Sequence, residues 1–294
     1  MKLAVTGATG FVGSHLVRHL LGRGHEVIGM SHRRPEPQVA DRRIEWRQGS
    51  VDDVSSMVKV FEGAEAVFHL VGIIVECGDK TFTDIVARGT SHMVEASRRA
   101  GIKLVVYQSA MGTEPDSSIP YRQTKYQAER TIKNSGLNFV ILRPSIIYGP
   151  GDGFVSLLSK MVRLSPVVPL PGGGHFELQP VYIDDMSRCL ERSLHTPEAW
   201  SKIIEVGGPE KLEYRRIVNI LMDTMNRRRI TVPMPMPLMR IGATLSEHLL
   251  RKPPLTRDQL RMLQSGNTGD ISLMKKLFDI EPVRFNDGLA AYMR

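Results

Sequence analysis

Three residue patterns in this chain have the types and spacing to do chemistry. The first is Gly7, Gly10 and Gly13, a G-x-x-G-x-x-G run inside TGATGFVG. It stands where a short apolar run, Lys2–Thr6, gives way to a helical pattern that begins at Phe11. A glycine at the first position permits a tight turn, one at the second lets backbone approach an anion, and one at the third lets helix pack on strand. Backbone N–H groups at a helix start, backed by the helix dipole, are a ready site for phosphate. A second apolar run, Glu26–Met30, completes a strand–helix–strand unit, and in that setting the glycines read as the diphosphate cradle of a dinucleotide. After this second strand an acid would normally accept hydrogen bonds from a ribose 2′-hydroxyl, but the chain has Ser31, His32, Arg33 and Arg34. A guanidinium fork suits a 2′-phosphate, which favours NADP(H) over NAD(H); the competing reading of the two arginines is a solvated turn before Pro35.

The second pattern is Tyr121 and Lys125. Four residues apart on a helix, the two share a face, so the ammonium could lower the phenol pKa from about 10 and also hold a ribose. A phenol placed in this way exchanges the proton that accompanies hydride transfer at a carbonyl or alcohol. The third pattern is a set of single polar residues with two readings each. Ser109, at the end of the fifth strand run, either orients a reacting oxygen or is a hydroxyl satisfied at a strand end. Arg143 reaches a substrate anion or pairs with a nearby acid. Asp184 and Asp185 form an acid pair or cap the helix that follows, and His69 in FHLVG reads as a packed core histidine rather than a ligand. No metal site is spelled by the spacing of His, Cys, Asp and Glu.

The elements that must position these residues alternate along the first half of the chain. Lys2–Thr6, Glu26–Met30, Ile44–Gln48, Ala66–Leu70, Lys103–Gln108 and Phe139–Leu142 read as strands. Phe11–Leu21, Val54–Phe61, Asp84–Ala100 and Tyr121–Asn134 carry helical periodicity. Such alternation predicts an α/β fold, a doubly wound parallel sheet of Rossmann type. After about residue 150, GPG and PGGG mark loops, and the expected division is a dinucleotide-binding core over 1–150 and a smaller substrate-side or lid lobe over 151–294, one late strand of which returns to the core. Within that lobe the segment 231–251, rich in proline and methionine with a basic end, reads as a lid or dimer contact or, alternatively, as a docking segment for a membrane or protein partner.

Composition narrows the class. With 41% hydrophobic and 24% charged residues over 294 positions, the chain buries a core and is neither disordered nor membrane-spanning. Its net charge of +8 suits nucleic acid, an anionic membrane face or a phosphorylated ligand and does not choose among them; the basic pairs are scattered without interleaved aromatics and read mostly as solvated helix faces, and the expected partner is a small-molecule substrate rather than nucleic acid. No signal segment is read at the start, and the two cysteines, Cys77 and Cys189, stand far apart, so free thiols and a cytoplasmic setting are the expectation.

TGATGFVG, the YRQTK at 121–125 and LRPSIIYGPGDGF at 142–154 resemble the extended and atypical short-chain dehydrogenase/reductases, the NAD(P)-dependent epimerase/dehydratase-like chains. FHLVGII at 68–74, GTSHMVEAS at 89–97, LQPVYIDDM at 178–186 and EVGGPEKLEY at 205–214 extend the resemblance to about residue 290, and it looks closest to the group of the dinucleotide-binding accessory subunit of respiratory complex I and its bacterial relatives. The resemblance implies that Gly7, Thr9, Gly10, Phe11, Val12 and Gly13 wrap the diphosphate and that Ser31, His32, Arg33 and Arg34 hold the adenosine ribose. It places Gly49, Ser50 and Val51 at the adenine, with Ser50 departing from the usual aspartate, and Leu70, Val71 and Gly72 along the ribose and diphosphate. Tyr121 becomes the acid/base, Lys125 its support and cofactor contact, and Ser109 the orienting hydroxyl, although many relatives carry that hydroxyl one residue later, where this chain has Ala110. Two functions follow as expectations. One is an oxidoreductase acting on an unidentified carbonyl, sugar-nucleotide or quinone-like substrate; the other is a non-catalytic NADPH-binding assembly factor that meets a membrane or respiratory complex through 231–251.

Overall fold

In the computed structural model, residues 1–32, 42–76, 78–249 and 256–293 are described. Arg33, Arg34, Cys77 and the end of the 231–251 segment lie outside them. The six expected strands form at β1 (Lys2–Thr6), β2 (Glu26–Ser31), β3 (Ile44–Gln48), β4 (Ala66–His69), β5 (Leu104–Gln108) and β6 (Asn138–Pro144). Joined by a seventh, Lys202–Val206, they make one sheet in the order Lys202–Val206, β6, β5, β4, β1, β2, β3. Every pairing in it is parallel. The central runs LAVT, AVFH and LVVY are buried end to end, as strands covered by helices on both faces must be. This is the doubly wound α/β architecture that the alternation predicts.

The helices that cover the sheet are α1 (Phe11–Gly22), α2 (Val54–Phe61), α3 (Gly89–Arg99) and α4 (Pro120–Lys133). Asp53 caps α2 by accepting from the Ser55 N–H at 2.9 Å. Pro120 opens α4, where its fixed φ costs nothing and its missing N–H would be unpaired in any case. The helix expected over Asp84–Ala100 begins instead as a π-helical turn, Thr83–Arg88, that feeds α3. One widened turn shifts the apolar pattern too little for periodicity to register. Between sheet and helices the core is built from residues such as Ile28, Met57, Phe61, Val67, Met93, Val105, Ile132 and Ile141.

The chain forms two compact units that interleave in sequence. The first comprises Met1–Pro144, Ile183–Val206 and Ile271–Ile280; the second comprises Ser145–Tyr182, Gly207–Asp270 and Glu281–Arg294. A single cut near 150 is therefore not how the chain divides. The strand Lys202–Val206 returns to the sheet with two helices, Ile183–Arg192 and Ser272–Phe278, because a strand buried beside β6 needs cover on its faces. The second unit has its own core around Tyr148, Leu158, Leu170, Ile217, Leu221, Phe285 and Leu289. Its short strands pair as Ile147–Tyr148 with Val181–Tyr182 and Val167–Pro171 with Ile230–Met234, both parallel, and Glu177–Leu178 with Leu212–Glu213, antiparallel. Among the described residues no helix is long and apolar enough to cross a membrane.

Candidate active site

The strand order reverses at β1, whose neighbours are β2 on one side and β4 on the other, and the carboxyl ends of β1 and β4 are where an open α/β sheet leaves a crevice. The glycine turn sits there. Gly7 has φ +72°, the left-handed region, and a Cβ on it would press to 3.1 Å from the Leu70 carbonyl carbon and the Val71 nitrogen. A Cβ on Gly13 would stand 2.0 Å from the Gly7 oxygen, so α1 meets the turn more closely than any side chain allows. Gly10 donates its N–H to that same oxygen at 2.9 Å. Gly10 is also the N-cap of α1, and no side chain caps the helix. Thr9 and Gly10 are exposed and Phe11 half-buried, while Val12 and Gly13 are buried against the sheet. Uncapped N–H groups at a bare turn leave room and dipole for an anion.

The walls of the crevice come from the ends of the neighbouring strands. Ser31 is buried at the end of β2, and its carbonyl accepts from Gly49 N–H at 3.0 Å; His32 beside it is exposed. Ser50 N–H donates to Ser56 Oγ at 3.1 Å, and the Ser50 hydroxyl holds the Asp52 carboxyl below the ordinary carboxylate range. The Val51 carbonyl is 2.8 Å from His92 Nδ1. After β4, Leu70 and Val71 are half-buried against Gly7, and Gly72 is exposed. A Cβ on Gly72 would lie 3.5 Å from Lys125 Nζ, so the lysine comes against this loop. The structure thus gathers Gly7, Gly10, Gly13, Leu70, Val71, Gly72 and Lys125 in one place. The expected arginine contacts to a 2′-phosphate fall on Arg33 and Arg34, outside the described residues.

Lys125 is buried, and its ammonium donates to the Gln108 carbonyl at 2.8 Å. It lies 4.8 Å from the Tyr107 ring centroid and 6.0 Å from that of Tyr121. Burial lowers the amine to about 8, with Glu129 pulling the other way. Tyr121 meets Phe82 edge-on at 5.7 Å, and burial pushes its phenol up to about 12, opposed by the Arg122 charge. The expectation that Lys125 lowers the phenol is corrected here. Both side chains do share a helix face, but the ammonium is drawn to a backbone carbonyl and sits over ring faces, and desolvation dominates the phenol.

Ser109 is 2% exposed, and its hydroxyl donates to Glu129 Oε1 at 2.6 Å. Arg143 grips the same carboxylate with two bonds, Nε to Oε1 at 2.8 Å and Nη2 to Oε2 at 2.6 Å. Glu129 stands eight residues after Tyr121 on α4, about 12 Å along the axis at ~1.5 Å per residue. The Ser109 hydroxyl is therefore committed to a buried ion pair rather than offered to a reacting oxygen, and the next residue, Ala110, has no hydroxyl to replace it. Arg143 takes the structural of its two readings. Sequence reasoning missed Glu129, although its spacing of four from Lys125 and eight from Tyr121 already put it on the same helix stripe.

The remaining polar candidates are accounted for locally. His69 is fully buried, with Nδ1 at 2.8 Å from Thr6 Oγ1 and Nε2 at 3.3 Å from Thr90 Oγ1. Burial depresses it to about 3, so it is a neutral core histidine. Asp184 and Asp185 fall in the first turn of Ile183–Arg192, and Asp185 pairs with Arg188.

A family model described as the NAD dependent epimerase/dehydratase family matches residues 3–207. A Dictyostelium discoideum protein named NADH dehydrogenase (ubiquinone) 1 alpha subcomplex subunit 9, mitochondrial, is 25% identical over 268 residues, which are 87% of this chain and 73% of that one. A ceramide reductase from Caulobacter vibrioides is 32% identical over 196 residues, 66% of this chain and 61% of the reductase, so the chain spans under two thirds of it. A crystal structure of UDP-glucuronic acid 4-epimerase from Bacillus cereus, in complex with UDP-glucuronic acid and NAD, superposes with a TM-score of 0.76 at 23% identity over 99% of this chain and 97% of the epimerase, a likeness of fold.

Proposed function

The chain belongs to the NAD dependent epimerase/dehydratase family, and from that premise we propose that it is an NADP(H)-dependent oxidoreductase that moves hydride to or from a small carbonyl or alcohol substrate. The observation that carries this reading is the meeting of Lys125 with Gly72 at the mouth of the glycine cradle, with Tyr121 one turn before it on α4. The turn suits a diphosphate because α1 starts at Gly10 with no side-chain cap and with Thr9 and Gly10 exposed, while the close backbone packing at Gly7 and Gly13 excludes side chains from it. Gly7 to Gly13 would hold the diphosphate, Ser31 to Arg34 the adenosine ribose, and Lys125 the nicotinamide ribose; the bound dinucleotide supplies or accepts the hydride. The NADP(H) preference is supported by Arg33 and Arg34 in a position with no acid.

Tyr121 acts on the substrate oxygen. With its phenol raised to about 12, it is protonated at neutral pH and is poised as a general acid, giving its proton to a carbonyl oxygen as the adjoining carbon is reduced. Lys125, fixed by Gln108, positions the ribose. The test is NADPH oxidation with a panel of ketones, nucleotide sugars and quinones. Wild type turns over at least one class, and Tyr121→Phe loses ~100-fold or more of that rate while still binding dinucleotide. Silence of both proteins across the panel overturns the enzyme reading.

A second reading then stands, that of a dinucleotide-stabilised assembly factor for a membrane or respiratory complex. Its support is the helix Met236–Leu249, which exposes Leu238, Ile241 and Leu245 at 56–57% along one stripe, together with the Ser109 hydroxyl already occupied by Glu129. Ligand binding to the native state alone is a sufficient use for a nucleotide in such a protein.

A further inference from the structure

His25 meets Glu191 and His195, which come much later in the chain, in the first unit, with one ligand atom from each of the three within 4.8 Å of the other two. His25 directly precedes β2, Glu191 lies in the last turn of Ile183–Arg192, and His195 follows four residues later. His195 Nε2 is 3.8 Å from Glu191 Oε1, and the two imidazoles stack at 6.0 Å with 18° between their planes. His25 and Glu191 are buried, while the His195 side chain is half open to solvent. We propose that these three side chains bind one divalent transition ion of the Zn²⁺ class, through two imidazoles and one carboxylate, with water as the fourth ligand.

The donor chemistry and the spacing both suit the ion. Nitrogen and carboxylate ligands at about 2.0–2.1 Å from a tetrahedral Zn²⁺ lie roughly 3.4 Å apart, so modest side-chain rotation brings this group to that geometry. Imidazole and carboxylate together select borderline metals such as Zn²⁺ over hard Ca²⁺ or Mg²⁺. The resident competitor is Arg23, whose Nε is 3.9 Å from Glu191 Oε1, but that side chain is 61% exposed and free to swing into water. His19 adds a further sign that polar pairing here is incomplete, since its Nε2 is buried with no hydrogen-bond partner among the described residues.

The position assigns the metal a structural role. The cluster lies past the C-terminal end of α1, while the glycine turn is at its N-terminal end, and twelve helical residues span about 18 Å. An ion there would tie the head of β2 to the segment by which the chain re-enters the first unit after its excursion over Ser145–Tyr182. Nothing in the dinucleotide reading depends on it.

The experiment uses tag-free, chelator-treated, full-length protein, titrated with Zn²⁺ by calorimetry and with Co²⁺ by visible absorption. One equivalent of Zn²⁺ should bind and raise Tm, and Co²⁺ should develop tetrahedral ligand-field bands. His195→Ala, a change at an exposed position, and the isosteric Glu191→Gln should each weaken Zn²⁺ by more than the roughly 10–100-fold that follows loss of an outer-shell partner. His175→Ala, an exposed histidine outside the cluster, should leave binding unchanged. Absence of stoichiometric binding, or equal binding by wild type and His195→Ala, overturns the proposal.

Discussion

Lys125 is an ammonium held away from water, and burial brings it from an ordinary value of 10.5 down to about 8. At ~1.36 kcal/mol per pH unit, that depression opposes folding by roughly 3–4 kcal/mol at neutral pH. The sign follows from linkage. The penalty is present in full below pH 8, where the lysine is charged in both states, and fades between 8 and 10.5, where the unfolded chain binds more protons than the folded one, so stability rises with pH in that window. Lys125→Met removes the penalty and also the bond to the Gln108 carbonyl, worth ~1.5–3 kcal/mol as a charge-assisted contact. The remainder favours the variant by ~0.5–2 kcal/mol at pH 7, or about 1–8 °C in Tm at ~2–4 °C per kcal/mol. At pH 10.5 the order reverses, because only the lost hydrogen bond remains. Urea denaturation of both proteins at pH 7 and pH 10.5, with parallel dinucleotide titration, checks this. A stability difference that does not change between the two pH values refutes the reasoning; weaker nucleotide binding by the more stable variant completes it.

Gly13→Ala places a Cβ 2.0 Å from the Gly7 oxygen, so backbone has to move at a cost of ~1–3 kcal/mol, and both Tm and dinucleotide binding should fall. Gly22→Ala, at the other end of α1 with no atom within 4 Å of the added carbon, should be neutral or stabilising by up to ~1 kcal/mol, and thermal melts of the two separate a steric cause from a general intolerance of change in α1. Glu129→Gln leaves the Arg143 guanidinium without its carboxylate and should cost ~3–5 kcal/mol in urea denaturation, with partial recovery in Glu129→Leu/Arg143→Met. Tyr121→Phe should leave stability within about 1 kcal/mol of wild type by the same measurement, because the ring contact with Phe82 is retained.

The parts of this molecule that sequence made readable are those in which a local rule has one solution. The glycine turn is such a case, since three steric jobs at fixed offsets require glycine at 7, 10 and 13 and strands on either side. Val54–Phe61 is another, where an apolar stripe of helical period marks the helix. What escaped notice depends on partners set by the sheet. Glu129 meets Ser109 and Arg143 only because the ends of β5 and β6 lie side by side under α4, and spacings of twenty and fourteen residues carry no such signal. The aim of Lys125 at the Gln108 carbonyl rather than at the Tyr121 hydroxyl is likewise a matter of side-chain direction, which a spacing of four does not fix. The re-entry of Ile183–Arg192 into the first unit was hidden because its amphipathic stripe names a buried face without naming the unit that buries it.

The central claim is that backbone amides at the turn from Gly7 to Gly13 receive the diphosphate of a nicotinamide dinucleotide. Titration of the purified full-length protein with NADPH and with NADH, followed by energy transfer from its tryptophans and by calorimetry, tests it most directly. One equivalent of NADPH should bind, more tightly than NADH, and Gly13→Ala should weaken both. If neither dinucleotide binds the wild-type protein, or if Gly13→Ala binds as wild type does, the claim is contradicted.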